Sequence, residues 1–485
     1  MVLAAVALGL AALLLGAARL AFAMTEPLWF DEAFTLSIVS RPDGASFWRQ
    51  VYLDSNGPAF YLIERLWSGL AGRSDLALRI PTLLAVWASG ALPLFVPLKG
   101  LSRTARMTWA VLIFAWWGVG YFLDARCYGL LLAVATGQCL AFGRVMEAPS
   151  LRRALIWMTL GALGVLLHYY MLFVVLAQGL IYLGRHRWAA VRTWPAVLVF
   201  APVATWMLRH APRLADYSRL ASVWHPPVDA RRALDLTAFV IGPSQPLMLA
   251  VVAVILIAGL LVGRLRPGAS PDEDGTPVAA LTLTAAAGVA AFALMLVFGV
   301  FGSGLSPRYM IPLAPSLLLG VVLIARAGPS ARLVYLALII VYLGTEIRPA
   351  LDALSGPRRL PRYEFETGSA FLVAHGAREV VFVWDHELAP IMDAATLSQV
   401  GGAFFDRARQ PVTIRPLVVP PDQDANRVIL DAAQGERPGL IWMFNREGHT
   451  AAHRFAPAIT KRDPRWVCDE QGDGVAGALA CYRRP

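Results

Sequence analysis

Long apolar stretches recur along the first 347 residues of the chain, and they limit the possible folds more than any other feature. Crossing the hydrocarbon core of a bilayer takes about 20 predominantly apolar residues per helix. The 485 residues are 57% hydrophobic and only 16% charged, and the mean hydropathy is +0.56. One soluble core cannot bury so much apolar surface. The sequence therefore predicts a polytopic α-helical membrane protein.

The apolar stretches predict about eleven transmembrane helices. The sixth is short and could form one long segment with the fifth, bent at the polar residue His168. The segment before Leu70 has apolar residues at helical spacing with charged residues between them, which predicts an outer juxtamembrane helix or an ordinary packing helix. The predicted spans lie near residues 3–23, 79–98, 107–123, 127–143, 154–170, 171–184, 193–208, 237–262, 278–300, 309–325 and 331–347.

Charged residues become frequent after residue 347, and apolar runs become short. We therefore divide the chain into a transmembrane domain, residues 1–347, and a soluble domain, residues 348–485. Strand-like runs alternate with helix-like stretches in the second part, which predicts a small α/β or α+β fold. Cys468 and Cys481 lie 13 residues apart there. A disulfide between them is the natural interpretation if this domain faces an oxidising compartment.

The basic residues predict how the chain crosses the membrane. Cytoplasmic loops carry an excess of Lys and Arg, and with the amino terminus inside, every inner link of the predicted topology is basic. The outer side then receives the 24–78 segment and the soluble domain. The net charge of +10 is spread over the links and forms no clustered basic face, so we expect no nucleic-acid partner.

Two adjacent carboxylates, Asp31 and Glu32, follow the first predicted span by a few residues. Charged groups so close to lipid are costly unless they are used, which favours a functional role. The alternative is a helix cap, because both residues precede the helix-like run from Ala33 to Ser40 and suit its positive end. The two interpretations are compatible, and the residues alone leave both open.

Two turns, one with Arg126 and Tyr128 and one with Arg308 and Tyr309, each place an arginine and a tyrosine at the predicted outer boundary. Tyrosine is common at that depth as an interface anchor. An outer arginine runs against the charge bias, however, and binding of a lipid phosphate by the guanidinium group would explain it. A structural role for each arginine remains the alternative.

Polar groups also mark the turn that contains Asp54 and Asn56 and the helix tip that contains His168 and Tyr169. Taken singly, they are compatible with an ordinary turn and with a packing histidine. The sequence contains no zinc-ligand spacing, no phosphate-binding Gly-rich loop and no serine nucleophile elbow. These polar groups therefore indicate a functional site only when they are considered together.

In order, these motifs resemble the bacterial members of glycosyltransferase family 39, the protein mannosyltransferase-like enzymes with the GT-C fold. The resemblance covers about residues 1–347, and the soluble domain carries no recognised motif. Relatives often have a Pro-Pro pair where this sequence has Gly57-Pro58-Ala59, a departure that leaves the acceptor open. The matching segments are Trp29 to Glu32, Asp54 to Tyr61, Leu78 to Pro81, Ala125 to Gly129, His168 to Tyr170 and Pro307 to Pro312.

The resemblance implies an enzyme of the bacterial inner (plasma) membrane that takes a sugar from a polyprenyl phosphate and inverts the anomeric centre. The acceptor would be a glycan, lipid or protein of the cell envelope. An acceptor hydroxyl needs a carboxylate base, and Asp31 is the candidate, with Glu32 positioning acceptor or base. A leaving lipid phosphate needs cations near the membrane surface, and Arg126 and Arg308 are the candidates.

The remaining residues of the predicted substrate site follow from the same resemblance. Asp54 and Asn56 would hold sugar hydroxyls, and the scheme requires no cofactor or metal. A divalent cation at Asp31 and Asp54 stays open as an alternative. Hydrogen bonds to the substrates are expected from Tyr61, Tyr128, His168, Tyr169 and Tyr309.

The chief alternative is a flippase or transporter of a lipid-linked sugar, which would also expose aromatic and basic residues at the leaflet boundary. Transporters more often show internal repeats or charged residues at mid-membrane, and neither is clear in this sequence. Polysaccharide polymerases or ligases concentrate their chemistry in one large late outer loop, whereas the carboxylates come early here. A noncatalytic membrane receptor is a more distant alternative.

Overall fold

The computed structural model is helical over its amino-terminal part and carries a small sheet near the carboxy terminus. The described residues are 2–116, 123–221, 227–243, 245–265, 279–301, 305–326, 330–355, 364–385, 393–407, 412–419, 423–432, 438–445, 451–471 and 476–485. The predicted span at 107–123 and the predicted link at 264–277 therefore lie partly outside the described residues.

Several helices begin at a serine whose side chain accepts a hydrogen bond from the first turn. Ser74, Ser102 and Ser150 each bond a backbone N–H three residues later, as helix caps do. Segments Arg187–Phe200 and Pro307–Leu313 are 3₁₀ helices. The α-helices are α1 (Val2–Thr25), α2 (Phe30–Val39), α3 (Gly44–Leu53), α4 (Pro58–Ala71), α5 (Asp75–Phe95), α6 (Arg103–Ala115), α7 (Tyr128–Glu147), α8 (Leu151–Leu167), α9 (Met171–His186), α10 (Ala201–Ala221), α11 (Ala230–Ile241), α12 (Pro246–Leu265), α13 (Ala279–Phe301), α14 (Ala314–Arg326) and α15 (Ala331–Ser355).

Within the described ranges, six helical segments are long and apolar enough to cross a membrane, and there are eight if two bent helix pairs count as spans. The bent pairs are Gly9–Thr25 with Phe30–Val39, at 70°, and Ala230–Ile241 with Pro246–Val262, at 62°. The six segments are Asp75–Phe95, Tyr128–Glu147, Met171–Asp216, Ala279–Phe301, Pro307–Arg326 and Ala331–Ser355.

The predicted count of about eleven spans is therefore not confirmed, and helix length explains much of the difference. Helix α6 has 13 residues and α8 has 17, which at 1.5 Å per residue gives about 20 and 26 Å, less than the roughly 30 Å hydrocarbon core. The predicted spans at 171–184 and 193–208 also merge into one 46-residue helical stretch. Among the described residues, several predicted apolar runs are therefore shorter than a complete crossing or share one helical stretch.

The segment between α1 and α5 folds into three short helices instead of an extended loop. Helix α4 begins with Pro58 in its first turn, a position where the missing proline N–H costs no helix bond. Phe60 and Tyr61 are buried on one face of α4, while Leu66 and Leu70 are exposed. This is the predicted juxtamembrane helix, and its buried face brings Tyr61 toward the other polar motifs.

The carboxy-terminal part forms a five-stranded sheet in the order β2-β1-β3-β5-β4. Strand β1 pairs in parallel with β2 and β3, whereas β5 pairs antiparallel with β3 and β4. Parallel neighbours need crossover connections, and helices stand between these strands in the sequence. The elements are α16 (Glu364–Ala374), β1 (Glu379–Asp385), α17 (Ala394–Arg407), β2 (Thr413–Val419), α18 (Ala425–Ala432), β3 (Pro438–Asn445), α19 (Ala451–Arg462), β4 (Trp466–Gln471) and β5 (Ala476–Arg483).

The mixed sheet with interspersed helices is the kind of small domain that the sequence predicted after residue 347. Helix α15 continues past that boundary to Ser355. Cys468 and Cys481 occupy directly paired positions on β4 and β5, and they form a disulfide.

Gly57 tests the packing that holds α4 against α8. A Cβ atom added at Gly57 would lie 1.9 Å from the backbone oxygen of Leu166, so backbone must move. We expect Gly57→Ala to lower the free energy of unfolding by about 1–3 kcal/mol or more, measured by thermal unfolding in detergent. The matched control is Gly69→Ala on the same helix, where nothing lies within 4 Å. Equal stability of the two variants would contradict the packing.

Candidate active site

A buried ion pair between Glu32 and Arg79 organises the start of α2. Both side chains are fully buried, with 0% exposure. Arg79 Nε donates to Glu32 Oε1 at 2.7 Å, and Arg79 Nη2 donates to Oε2 at 2.6 Å. The same carboxylate accepts the backbone N–H groups of Trp29, at 3.2 Å, and Ala125, at 2.8 Å. A bidentate pair with such additional bonds fixes geometry tightly.

Arg79 reaches a third segment, because its guanidinium also donates to backbone carbonyls at the end of α1. Nη1 lies 2.6 Å from the oxygen of Glu26, and Nη2 lies 2.8 Å from that of Pro27. The pair therefore joins the α1–α2 corner, α5 and the turn before α7. Glu32 directs its carboxylate to Arg79 and fixes the chain around Asp31, and its predicted role in positioning acceptor or base stays a prediction.

Asp31 lies one residue earlier, and its side chain is 21% exposed. Arg308 Nη1 donates to Asp31 Oδ2 at 3.1 Å, and Arg126 Nε lies 4.0 Å from the same oxygen. The two arginines come from segments far apart in the sequence, the turn before α7 and the 3₁₀ helix at Pro307–Leu313. The structure thus brings the predicted carboxylate and both predicted guanidinium groups together.

A second polar cluster surrounds Asp54. The Tyr61 hydroxyl donates to Asp54, and Asn56 Nδ2 donates to Asp54 Oδ2 at 3.1 Å. Arg126 Nη1 donates to the Tyr61 hydroxyl at 2.9 Å, so Arg126 bridges this cluster and Asp31. Burial, followed by the nearby Asp54 carboxylate, raises the pKa of Tyr61 well above its usual value although Arg126 opposes the change. The phenol therefore stays a neutral donor.

Aromatic rings close another side of the site. The guanidinium carbon of Arg308 lies 5.6 Å from the centre of the Tyr128 ring. The His168 ring lies 5.2 Å from that of Tyr309 and 5.9 Å from that of Tyr128. Tyr170, which the sequence did not single out as a site residue, stacks on Tyr309 at 4.7 Å. These rings exclude water from one face of the arginine and so strengthen its electrostatic interactions.

Tyr169 follows His168 directly in the chain but contacts different residues. Its hydroxyl accepts the indole N–H of Trp206 at 2.8 Å. The same oxygen lies 2.6 Å from Nδ1 of His210 and 3.1 Å from the carbonyl oxygen of Asn56. Tyr169 therefore supports the backbone beside Asp54 from behind. The sequence did not identify His210 and Trp206 as residues near the site, because aromatic residues at the end of a span are usually interpreted as interface anchors.

Within the described part of the chain, no group of three or more His, Cys, Asp or Glu side chains is placed to hold a metal ion. Asp31 and Asp54, the predicted alternative ligands, each bond to arginine, tyrosine or asparagine as described above. The arrangement can accept a proton at Asp31 and can bind an anion between Arg126 and Arg308.

Comparison with solved structures shows that the chain has the GT-C fold of membrane glycosyltransferases, the fold that its motifs implied. One structural match is ArnT from Cupriavidus metallidurans bound to undecaprenyl phosphate, with 11% sequence identity, a TM-score of 0.52 and coverage of 98% of this chain and 97% of that chain. ArnT in the apo state matches over the same shares with a TM-score of 0.51 and 11% identity. Identity this low shows the fold alone.

The sequence itself gives no match. No family model matches the chain. No curated protein matches it either. Membership of glycosyltransferase family 39 therefore stays a prediction.

The carboxy-terminal domain contacts the helix that carries Asp31. The ring of Phe30, in the first turn of α2, stacks on Trp384 at 5.2 Å with an interplanar angle of 8°. Phe365 also stacks on the Phe30 ring, at 5.3 Å. Arg41, just after α2, pairs with Asp393 at 3.7 Å. Both ends of α2 are thus held by the domain.

Glu64 is a buried carboxyl on the same face of α4 as Tyr61. Its side chain has 0% exposure, and neither oxygen has a hydrogen-bond partner within the described ranges. Burial raises the pKa of Glu64 to about 8. An uncompensated buried charge would be costly, so this carboxyl is protonated at neutral pH.

The Glu32–Arg79 pair gives a stability prediction. We expect Glu32→Gln to lower the free energy of unfolding by about 3–5 kcal/mol, because it leaves a buried guanidinium without its counter-charge. The matched control is Asp393→Asn, since the Asp393 side chain is 31% exposed and such pairs contribute about 0–1 kcal/mol. Thermal unfolding of both variants in nanodiscs measures the difference. A Glu32→Gln variant as stable as the control would disprove the assigned role.

The stacking of Phe30 gives a prediction about local order. We expect Trp384→Ala to increase amide hydrogen exchange in the first turns of α2, because Phe30 loses the ring that covers it. Trp384→Phe should retain most of the protection, since an aromatic ring can still stack. Trp466→Ala, in a different buried cluster, serves as the control. Unchanged exchange in α2 after Trp384→Ala would show that the domain does not hold this helix.

Glu64 gives a prediction about pH. Its folded-state pKa of about 8 lies above the ordinary value of 4.5, so its contribution to stability is complete below pH 4.5 and is lost as pH rises toward 8. Glu64→Gln removes this titration. We expect the variant to gain melting temperature relative to the wild type as pH rises from 5 to 8, in nanodiscs of fixed composition. A constant difference across this range would contradict the assignment.

Proposed function

We propose that this chain transfers a sugar from a polyprenyl-phosphate donor to an acceptor of the cell envelope, with inversion at the anomeric carbon. The observation that carries the proposal is the Asp31 carboxylate held against Arg126 and Arg308 in a GT-C fold. ArnT, which shares the fold, was crystallised bound to undecaprenyl phosphate. A lipid phosphate of that kind is what remains when a sugar leaves such a donor.

The proposed reaction is a single displacement. The acceptor hydroxyl attacks the anomeric carbon from the face opposite the phosphate, and its proton passes to Asp31. The bond between the anomeric carbon and the phosphate oxygen breaks, and its electron pair stays on that oxygen. Arg126 and Arg308 stabilise the negative charge that develops there. Phosphate is a fair leaving group, so one carboxylate is enough, in contrast to the pair used by glycosidases.

Donor binding and base activation are coupled in this scheme. Arg308 donates to Asp31 Oδ2 at 3.1 Å, which occupies one of the two carboxylate oxygens. A donor phosphate competes for the same guanidinium, because phosphate oxygens bind arginine strongly. Arg308 then moves its hydrogen bond from the carboxylate to the phosphate. Donor binding thereby frees the Oδ2 atom of Asp31 from this hydrogen bond.

The surrounding residues receive positioning roles. Asp54 and Asn56 are 3% and 6% exposed and bond to each other, so we assign them to holding Tyr61 and Arg126, in place of the predicted contacts to sugar hydroxyls. Tyr128, His168 and Tyr309 form the aromatic side of the donor site. The scheme uses no metal ion, and a divalent cation at Asp31 and Asp54 stays the alternative.

We place the enzyme in the bacterial inner membrane with the site and the carboxy-terminal domain on the outer side. The basic inner links of the sequence support this orientation. The disulfide between Cys468 and Cys481 also supports it, because disulfides persist in oxidising compartments.

Asp31→Asn tests the assigned base. We expect it to reduce transfer by about 10²–10⁴-fold, the typical contribution of a general base, with donor binding retained. The measurement is release of polyprenyl phosphate from synthetic radiolabelled donors by purified protein in nanodiscs. The matched control is Asp43→Asn, an exposed carboxylate that caps α3 and that asparagine can replace.

Two outcomes would overturn the proposal. Equal turnover by Asp31→Asn and the wild type would remove Asp31 as the base. If neither protein consumes any donor in a broad panel with envelope acceptors, but both move labelled lipid between leaflets, the chain is a flippase for a lipid-linked sugar.

A further inference from the structure

A cleft of about 690 Å³ lies between α3 and α10. It is lined by Trp48, Tyr52, Trp206 and Arg209, and we call it the aromatic cleft. Trp48 and Tyr52 are 43% and 37% exposed, and the rings of Trp48 and Trp206 lie 6.1 Å apart. Three large aromatic side chains and one arginine thus share one concave surface, outside the residues assigned to the donor.

The aromatic cleft lies next to the candidate active site, with a hydrogen-bonded network of side chains between them. Trp206 donates its indole N–H to Tyr169 at 2.8 Å, and the Tyr169 hydroxyl lies 3.1 Å from the carbonyl oxygen of Asn56. His210 connects the same network to the cleft, because Nε2 lies 2.9 Å from the carbonyl oxygen of Tyr52. One layer of hydrogen-bonded side chains therefore separates the aromatic cleft from the Asp54 cluster.

This network also decides what the aromatic cleft offers to a ligand. The N–H of Trp206 is used inside the protein, so this residue presents ring carbons to the cleft. Arg209 is exposed and has no bonded partner among the described residues, so its guanidinium is available. Binding sites commonly combine apolar and aromatic walls with a few placed polar groups. Here the polar group is a cation.

Flat aromatic walls beside a guanidinium suit an acidic sugar. One face of a pyranose ring presents C–H groups with partial positive charge, which pack against the negative face of an aromatic ring. A carboxylate or phosphate on the sugar can accept both N–H groups of an arginine. Anchoring in the lipid interface is the other use of outer tryptophans. Trp206 is hydrogen-bonded to Tyr169, which in turn contacts the backbone of Asn56 beside the Asp54 cluster. Because of this connection to the candidate site, we favour sugar binding over lipid anchoring.

We propose that the aromatic cleft binds the acceptor, and that this acceptor carries an acidic sugar. The inference rests on the proposed transferase function and adds the chemical class of its second substrate. In this assignment the acceptor sugar stacks on Trp48 and Trp206, and its anionic group pairs with Arg209. The cleft thus holds the acceptor on the Asp54 side of the site, while the lipid donor is assigned to Arg308 and the Tyr309 ring.

Direct binding tests the cleft without requiring catalysis. The probe is a galacturonic acid disaccharide, and its dimethyl ester is the neutral comparison, with binding followed by saturation-transfer NMR to the whole protein in zwitterionic nanodiscs. We expect the acid to bind the wild type and the ester to bind more weakly. Trp48→Ala and Arg209→Gln should each weaken binding about tenfold, a typical effect of one aromatic or charged contact. Trp188→Ala, at a tryptophan 88% exposed elsewhere, is the matched control.

Kinetics separate this inference from the proposed function. In a working transfer assay, the cleft variants should raise the KM for the acceptor about tenfold and leave the KM for the donor within twofold.

The inference is overturned if neither saccharide binds the wild type, or if Trp48→Ala and Arg209→Gln bind the acid as the control does. It is also overturned if these variants change only the affinity of the protein for anionic phospholipid vesicles, which would make the cleft a membrane anchor. Failed donor consumption with intact saccharide binding would count against the transferase and not against the cleft.

Discussion

The bond between Glu32 and Arg79 is the constraint on which the candidate site depends. It joins the corner after α1, the start of α5 and the backbone at Ala125. A fully buried charge pair is tolerable only when further hydrogen bonds satisfy its remaining atoms, and the backbone groups around it do this. Asp31 precedes Glu32 and Arg126 follows Ala125. The buried pair therefore helps to set the distance between Asp31 and Arg126, although Glu32 and Arg79 themselves bond to each other and to backbone groups.

The second arginine is held by other means. Arg308 lies in a 3₁₀ helix, Pro307–Leu313, and stands against the rings of Tyr128 and Tyr309. Aromatic contacts fix the plane of a guanidinium less tightly than a bidentate carboxylate does. Arg126 is the more buried of the two, with 7% side-chain exposure against 22% for Arg308. This difference suits the proposed reaction, in which Arg126 stays beside Asp31 and Arg308 binds the phosphate.

Much of this arrangement could be predicted from the sequence, and what could not be predicted has a physical reason. Polar motifs at predicted outer boundaries pointed to Asp31, Arg126, Arg308 and the Asp54 turn, because charged groups near lipid need a function. The partner of Glu32 could not be predicted, since pairing over 47 residues is a product of the tertiary fold. The predicted number of spans is not confirmed, because hydropathy measures composition, while crossing also requires length. Arg79, an arginine at the predicted outer boundary against the charge bias, indicates that a counter-charge is needed, but the sequence does not show which carboxylate supplies it.

The carboxy-terminal domain carries no motif, yet its position gives it a role in the same geometry. Helix α2 is ten residues long, too short to be stable by itself in water, and it bears Asp31, the proposed base, in its first turn. Glu32 holds its amino-terminal end through the bond to Arg79, and Trp384 covers Phe30 in the same turn. Arg41 and Asp393 connect its other end to α17. A short helix fixed on both sides can keep a carboxylate within hydrogen-bond reach of a moving substrate. The soluble domain is thereby part of the site's framework, and a sequence pattern in that domain alone could not have shown this.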